Sequence, residues 1–396
     1  MFPFFAFELG REYRLSLAEI WKVFPKAQFV YTDQHIALLS DITEEDIFKH
    51  ASRLGGTIKI IKVLTTTNAQ QQDSIQQILM HSIHHMVIQH TPGTKISFAL
   101  NVYGTILAHR TRIVTAKNIV KNHGFNARFI NKDWKNATSI EIIKEALIAK
   151  ETDWNLIFDG ENTYFGVSIF VQDIYAYSNR DYDKTRNMHV GMLPPKLAQI
   201  MLNLTGKNPQ NVYDPFVLGT IGIESAYMKN PLFFGSDHSD AMVHAAQNNL
   251  EQISETYPIQ YAIFSQDARF IHEVDIWEQI DAIVTEYLEI MTQRNISRER
   301  IALQQKKLTN LYTSFFTNLS KTSFSGQIVI SFPFWNLEGK HIYFEQVYDI
   351  LSKFCKIDPI LPDKLSACAT RVGSLLYKRP SQLVGREIFL LRLKKS

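Results

Sequence analysis

The sequence predicts an α/β protein in three parts: a small α+β unit, a second compact α/β unit, and a larger, mostly parallel, doubly wound sheet. Three observations lead there. At 396 residues the chain is too long for a single hydrophobic core. Its first two parts mix short strands with helices and are separated by a polar break near residue 65. Beyond about residue 185, short apolar runs alternate with helices, which is the pattern of buried parallel strands.

Composition narrows the class. The hydrophobic and charged fractions, 45% and 20%, are those of an ordinary globular protein. Cys355 and Cys368 cannot build a disulfide framework and match no C-x-x-C spacing, so both are expected to be reduced and buried. No apolar run reaches the length of a membrane span, and "MFPFFAFELGREYRLS" lacks the basic start and cleavage site of a signal peptide. A cytoplasmic protein is expected, with Phe2, Phe4 and Phe7 of that opening in a core.

Residues 1–64 carry the strands "QFVYT", "HIALLSD" and "TIKIIKVL" and the helical stretches "SLAEIWKVF" and "TEEDIFKHASRL", the second opened by a capping signal, Thr43 with Asp46 three residues on. "TTTNAQQQDS" reads as a structureless break, followed by a helix over 75–89. His81 and His85 on that helix have zinc-ligand spacing but no third ligand nearby, so they read as a solvated face. Residues 65–172 then give "KISFALNVYG", the basic helix "AKNIVKNHGFN", "ARFIN", the helix "SIEIIKEALIAK", and two strands joined by the turn "DGEN". "YSNRDYDKTRNMHVG" reads as a linker. In the third unit, 185–396, a helix opened by Pro194 and Pro195 precedes the strands "NVYDPF", "LFFGSD", "YAIFSQD", "DAIVTE", "QIVISFPF" and "EIFLLRL".

The net charge is only +3, but it is unevenly spread. Between Lys95 and Lys135 stand eight basic residues (Lys95, Arg110, Arg112, Lys117, Lys121, Arg128, Lys132 and Lys135) against one acid, Asp133. Such a window is either a solvated face or a phosphate-backbone footprint.

In open parallel sheets, ligands bind beyond the carboxyl ends of the strands. Four strands here end on an acid: Asp214, Asp237, Asp267 and Glu286. One such acid is usually a turn former or helix cap; four in series suit a nucleoside, with an acid at the second strand accepting from ribose hydroxyls. "GTIGIE" has neither G-x-G-x-x-G spacing nor a P-loop lysine, which argues against nicotinamide and nucleoside triphosphate sites, and no metal is required.

The stretch "DPFVLGTIGIESA...GSD" resembles the cofactor loop of class I S-adenosylmethionine methyltransferases, whose amino-methylating members read D-P-F-x-G-x-G-T and then G-x-D. "RNMHVGMLPPKLAQIMLNL" and "SLLYKRPSQLVGREIFLLRL" resemble the THUMP-domain tRNA guanosine-N2 methyltransferases. The resemblance spans nearly the whole chain. It implies a ferredoxin-like unit at 1–64, a THUMP RNA-binding unit at 65–172, and a Rossmann-like class I methyltransferase unit at 185–396. It also implies S-adenosylmethionine as cofactor and tRNA as partner.

By that resemblance Asp214, Phe216, Gly219 and Thr220 surround the methionine portion of the cofactor, Asp237 holds its ribose and Asp267 its adenine amine. Glu286 stands where the family has the first residue of D-P-P-Y, and Tyr287 would stack on the target base. The chemistry asks for an acceptor there, because the lone pair of a guanine amine is delocalised into the ring until its N–H bonds are held. Lys95, Arg110, Arg112, Lys117, Lys121 and Arg128 become the RNA contacts. Two departures bear on activity: Leu218 occupies a glycine position in a loop one residue short, and "TEYLE" lacks both prolines. Close backbone approach to the cofactor is expected to suffer. An adenine-N6 methyltransferase and a tRNA-binding protein without catalysis stay open as alternatives.

Overall fold

The computed structural model describes residues 4–68, 72–89, 91, 93–104, 109–182, 193–206, 208, 210–287, 291 and 296–394. Phe2 and residues 183–191 of the expected linker lie outside them. The chain forms two compact units, one from residues 1–13, 24–52 and 56–176, the other from residues 14–23, 53–55 and 177–396. No helix of the described residues is long and apolar enough to cross a membrane.

The first unit opens with β1 (Phe5–Leu9), and after the helix α1 (Tyr13–Val23) continues with β2 (Gln28–Thr32), β3 (Ile36–Ser40), α2 (Glu44–His50) and β4 (Thr57–Asn68). Phe7 is fully buried and Phe4 half-buried. Thr43 caps α2 as its spacing predicts, its hydroxyl accepting the Asp46 amide at 3.0 Å, with three acids in the first turn facing the positive end of the helix dipole. The order β2-β3-β1-β4, antiparallel throughout, is the ferredoxin-like arrangement of a βαββαβ chain. "TTTN" is not a break: it is the second half of β4, whose β-branched threonines pair with a neighbouring strand.

The remainder of this unit comprises α3 (Gln72–Val87), β5 (Lys95–Tyr103), α4 (His109–Asn122), β6 (Asn126–Phe129), α5 (Ser139–Lys144), β7 (Asp153–Phe158) and β8 (Asn162–Val171). β4 pairs with β1 on one side and β8 on the other, so a single eight-stranded sheet, β2-β3-β1-β4-β8-β7-β5-β6, runs through the boundary expected near residue 65. Ile83 and Val87 of α3 and Ile113 and Val120 of α4 pack over Phe98, Trp154 and Phe165. α5 stops at Lys144, short of the expected 150, where Ala146 adopts φ 52°.

The second unit adds α6 (Ile174–Tyr182), most of which it contains, and α7 (Pro195–Asn203), with Pro195 at the first helical position. It continues with β9 (Val212–Asp214), α8 (Thr220–Tyr227), β10 (Leu232–Asp237), α9 (Asp240–Ser254), β11 (Gln260–Ser265), β12 (Ala282–Glu286), α10 (Arg298–Leu319), β13 (Gln327–Leu337), β14 (Lys340–Tyr343), α11 (Gln346–Phe354), β15 (Cys355–Ile357), β16 (Leu375–Tyr377) and β17 (Val384–Leu393). α6 takes up part of the segment read as a linker. α1 belongs here too: the buried Glu19 carboxylate accepts the Gly55 amide at 2.8 Å and the Asn203 Nδ2 at 2.7 Å.

The sheet order is β11-β10-β9-β12-β13-β17-β15, parallel from β11 to β13, with β17 antiparallel to both of its neighbours. From β9 the chain winds outward through β10 and β11, then returns to β12 on the other side. That reversal makes the carboxyl ends of β9 and β12 the switch point where a doubly wound sheet opens a crevice. Leu308, Tyr312, Phe315 and Phe316 of α10 cover Ile328, Ile330 and Phe332 of β13. Cys355 is buried, whereas Cys368, expected to be buried, is only half so at the end of a surface 3₁₀ turn.

Candidate functional site

At the end of β9 the chain turns sharply through Pro215–Gly219 into α8. The Val217 amide bonds the Ser236 carbonyl of β10 at 2.9 Å, which ties the loop to the neighbouring strand. Gly219 caps α8 with φ 111°, and a Cβ there would lie 2.9 Å from Asn249 Nδ2. The position therefore needs glycine for both backbone angle and space.

The four acids differ in surroundings, and Asp267 lies two residues beyond the end of β11, not on it. Asp214 is buried; its Oδ1 accepts the Thr285 hydroxyl at 2.5 Å and the Phe216 amide at 3.2 Å. Burial above all, then the nearby charges of Glu286 and Asp237, pushes its carboxyl up to about 7 against the pull of those two bonds. Asp237 accepts the Ser239 amide at 2.8 Å beside the His238 ring, and burial raises it as well. Glu286, at the end of β12, is gripped by Arg386 of β17, with Nε to Oε2 at 2.6 Å and Nη2 to Oε1 at 2.9 Å, while Ser331 of β13 donates to Oε2 at 3.1 Å. Asp267 caps a 3₁₀ turn, accepts the Arg269 amide at 2.8 Å and pairs with the Arg269 guanidinium at 2.6 Å, which lowers it.

Three of these acids converge. Asp214, Phe216, Thr220, Asp237, Glu286 and Tyr287 line one cavity of about 270 Å³, walled further by Val217, Leu218, Ile221, Leu193 and Met242. Asp267 does not reach it. It lines a second cavity of about 350 Å³ with Arg269, Gln304 and Lys307, and Phe216, His238 and Tyr287 border both. The rings of Phe216 and Tyr287 meet edge to face with centroids 5.5 Å apart. Leu218 forms part of the wall of the first cavity and leaves it open.

Sequence reasoning missed Thr285, Ser331, Arg386 and His238. Arg386 carried a signal, a lone arginine followed by an acid inside the apolar run "GREIFLL". An arginine is almost never buried without a partner, so it called for an acid in a neighbouring strand.

The basic window of the first unit divides in two. Arg110, Lys117 and Lys121 lie on one stripe of α4 with the exposed Val114, at helical spacings of four, three and four residues. Arg110 lies 4.8 Å over the exposed Trp134 ring. Arg112 faces elsewhere, half-buried with its Nε without a hydrogen-bond partner, and burial lowers it. Arg128 is paired with Glu145 at 2.9 Å, and Lys95 begins β5, exposed, two register positions from Arg128 along the β5–β6 pair.

No protein-family model matches the chain, and no curated protein matches it in sequence. Solved structures do resemble it. TrmN from Thermus thermophilus is 14% identical, with 99% of this chain and 100% of that one covered and a TM-score of 0.51. A possible methylase from Clostridium difficile 630 is 11% identical over 100% and 99% of the two chains, with a TM-score of 0.47. A predicted N6-adenine-specific DNA methylase from Listeria monocytogenes is 10% identical over 98% and 96%, also with a TM-score of 0.47. The likeness to TrmN extends over both units and is one of fold: an eight-stranded α/β sheet in the first unit and a doubly wound, Rossmann-like sheet in the second.

Proposed function

We propose that the protein is an S-adenosylmethionine-dependent methyltransferase acting on the exocyclic amine of a guanine in tRNA, the second unit carrying the chemistry and the first docking the RNA. The observation that carries this reading is the convergence of Asp214, Asp237 and Glu286 with Tyr287 on one cavity at the switch point. Its lining suits a cationic nucleoside, with carboxylates set in a wall of Val217, Leu218, Ile221 and Met242.

Bound S-adenosylmethionine would supply a methyl group on a sulfonium, the C–S bond breaking as the amine N–C bond forms and its electron pair leaving on sulfur. Asp214 would face the cationic portion, and Asp237 would accept from the ribose hydroxyls. Asp267 could accept the adenine amine only by sharing oxygens that Arg269 now holds. Glu286 would hold one N–H bond of the target amine, so that the nitrogen's lone pair is available to the methyl carbon, and the alkylated nitrogen would release its extra proton to water. Tyr287, beside it, offers a ring to an extruded base. Arg110, Lys117 and Lys121 form a stripe suited to consecutive phosphates.

Transfer of labelled methyl groups to tRNA tests the reading. Glu286→Gln should slow transfer by about a hundredfold or more, the range of an acid–base group, while tRNA binding stays within about twofold. Transfer that survives the substitution removes Glu286 from the role. Label on adenine instead of guanine would move the reading to adenine-N6 chemistry, and no label on any RNA would end it.

A further inference from the structure

Burying a guanidinium costs several kcal/mol unless its partner is placed well, so a buried arginine marks a carboxylate whose position matters to the fold or to its chemistry. Arg386 is fully buried, 0% exposed, and reaches from β17 to Glu286 on β12 although β13 lies between them. Ser331 of β13, the register partner of Glu286, is small and adds its own hydroxyl to the pair. The contact is a two-point fork, which fixes the plane of the carboxylate as well as its position.

Each carboxylate oxygen offers about two lone-pair sites. Oε2 accepts from both Arg386 Nε and Ser331 Oγ and is filled; Oε1 accepts from Arg386 Nη2 and keeps one site. We propose that Arg386 is a positioning residue for methyl transfer: with Ser331 it leaves Glu286 a single acceptor site, on Oε1, and fixes that site at the cavity where the target amine is held. This rests on the methyltransferase reading above. A lysine cannot replace the arginine, because one ammonium reproduces the charge without the planar fork.

The test is a double-variant cycle on the rate of methyl transfer at saturating tRNA, with cofactor affinity measured by calorimetry on the same proteins. Arg386→Gln and Glu286→Gln are each expected to lose about a hundredfold in rate, with tRNA KM and cofactor affinity within about threefold. The combined variant should be no slower than Glu286→Gln alone, because the arginine acts only through the glutamate. Arg386→Lys should be faster than Arg386→Gln by about tenfold and still slower than wild type. If Arg386→Gln fails to fold, Arg386→Lys takes its place in the same cycle. A combined loss equal to the product of the single losses, or an Arg386→Gln variant at wild-type rate, overturns the positioning role in an active enzyme. A wild-type protein that binds cofactor yet methylates no RNA is a different result: it removes the functional reading and this role with it.

Discussion

Asp153 and Asp214 are both strand aspartates hidden from solvent, yet their surroundings are opposite. Asp153, in β7 of the first unit, sits 3.1 Å from the Lys59 ammonium, accepts from Asn101 Nδ2 at 2.8 Å and is bonded by the Ser168 hydroxyl. Lys59 also lies 3.6 Å from Glu8, so charge and donors from β1, β4, β5, β7 and β8 close on one another inside the sheet. Asp214, at the end of β9 in the second unit, has a hydroxyl and an amide but, among the described residues, no paired cation, and the charges of Glu286 and Asp237 push its carboxyl up further. The first aspartate completes a fold. Under the proposed function, the second is held ready, in a cavity, for a cation that arrives from outside.

The largest effect should come from breaking the closed arrangement. Lys59→Met leaves the buried Asp153 and the half-buried Glu8 without their cation and should destabilise the first unit by about 3–5 kcal/mol, read by urea unfolding with the fluorescence of the buried Trp154. A loss under about 1 kcal/mol would mean that the two aspartates are not so different.

Asp214→Asn should act in the opposite direction. A folded-state value of about 7, well above that of an unfolded carboxyl, means that the native state binds a proton the unfolded state has given up. Wild-type stability therefore falls as pH rises from about 4 to about 7 on this group's account. The isosteric amide removes that penalty, so its gain over wild type should be small near pH 4 and on the order of 2–4 kcal/mol at pH 8. Thermal melts at the two pH values check the sign. A gain that shrinks with rising pH would show that Asp214 is satisfied in place.

Smaller effects sharpen the contrast further. Gly219→Ala forces a side chain into a left-handed turn and against Asn249, and should destabilise the second unit by about 1–3 kcal/mol while weakening cofactor binding, both measurable in a single calorimetric series. Lys117→Ala and Lys121→Ala should each lower the slope of log affinity for tRNA against log salt by about 1, whereas Arg112→Ala, off the stripe, should leave that slope unchanged. Equal slopes for all three would dissolve the stripe as a binding surface.

The reach of the sequence can be judged from the same residues. Acids that end apolar strands are visible in one dimension, which is why Asp214, Asp237 and Glu286 could be named before their meeting point was known. Their partners are not visible in that way. Arg386 is separated from Glu286 by 100 positions and an intervening strand, and only the register of β12, β13 and β17 joins them. Asp267 pairs with Arg269 just two residues on, a contact local enough to be read from the chain, and it lines a different cavity from the other three acids, which the chain does not show. The polar "TTTN" was misread for a different reason. Its identity as strand comes from pairing with Asn162–Phe165 of β8, more than 90 positions away, and not from its own hydropathy. Likewise nothing in α1 announces that Glu19 is bound to Asn203, 184 positions on.

The most direct test of the central claim is calorimetric titration of S-adenosylmethionine into wild type and Asp214→Asn between pH 6 and pH 8. An aspartate kept for an incoming cation predicts that wild-type affinity rises several-fold as Asp214 ionises, with proton release on binding, and that the variant binds more weakly and without this pH dependence. Absence of binding heat at every pH, or identical pH-independent affinity in both proteins, would contradict it.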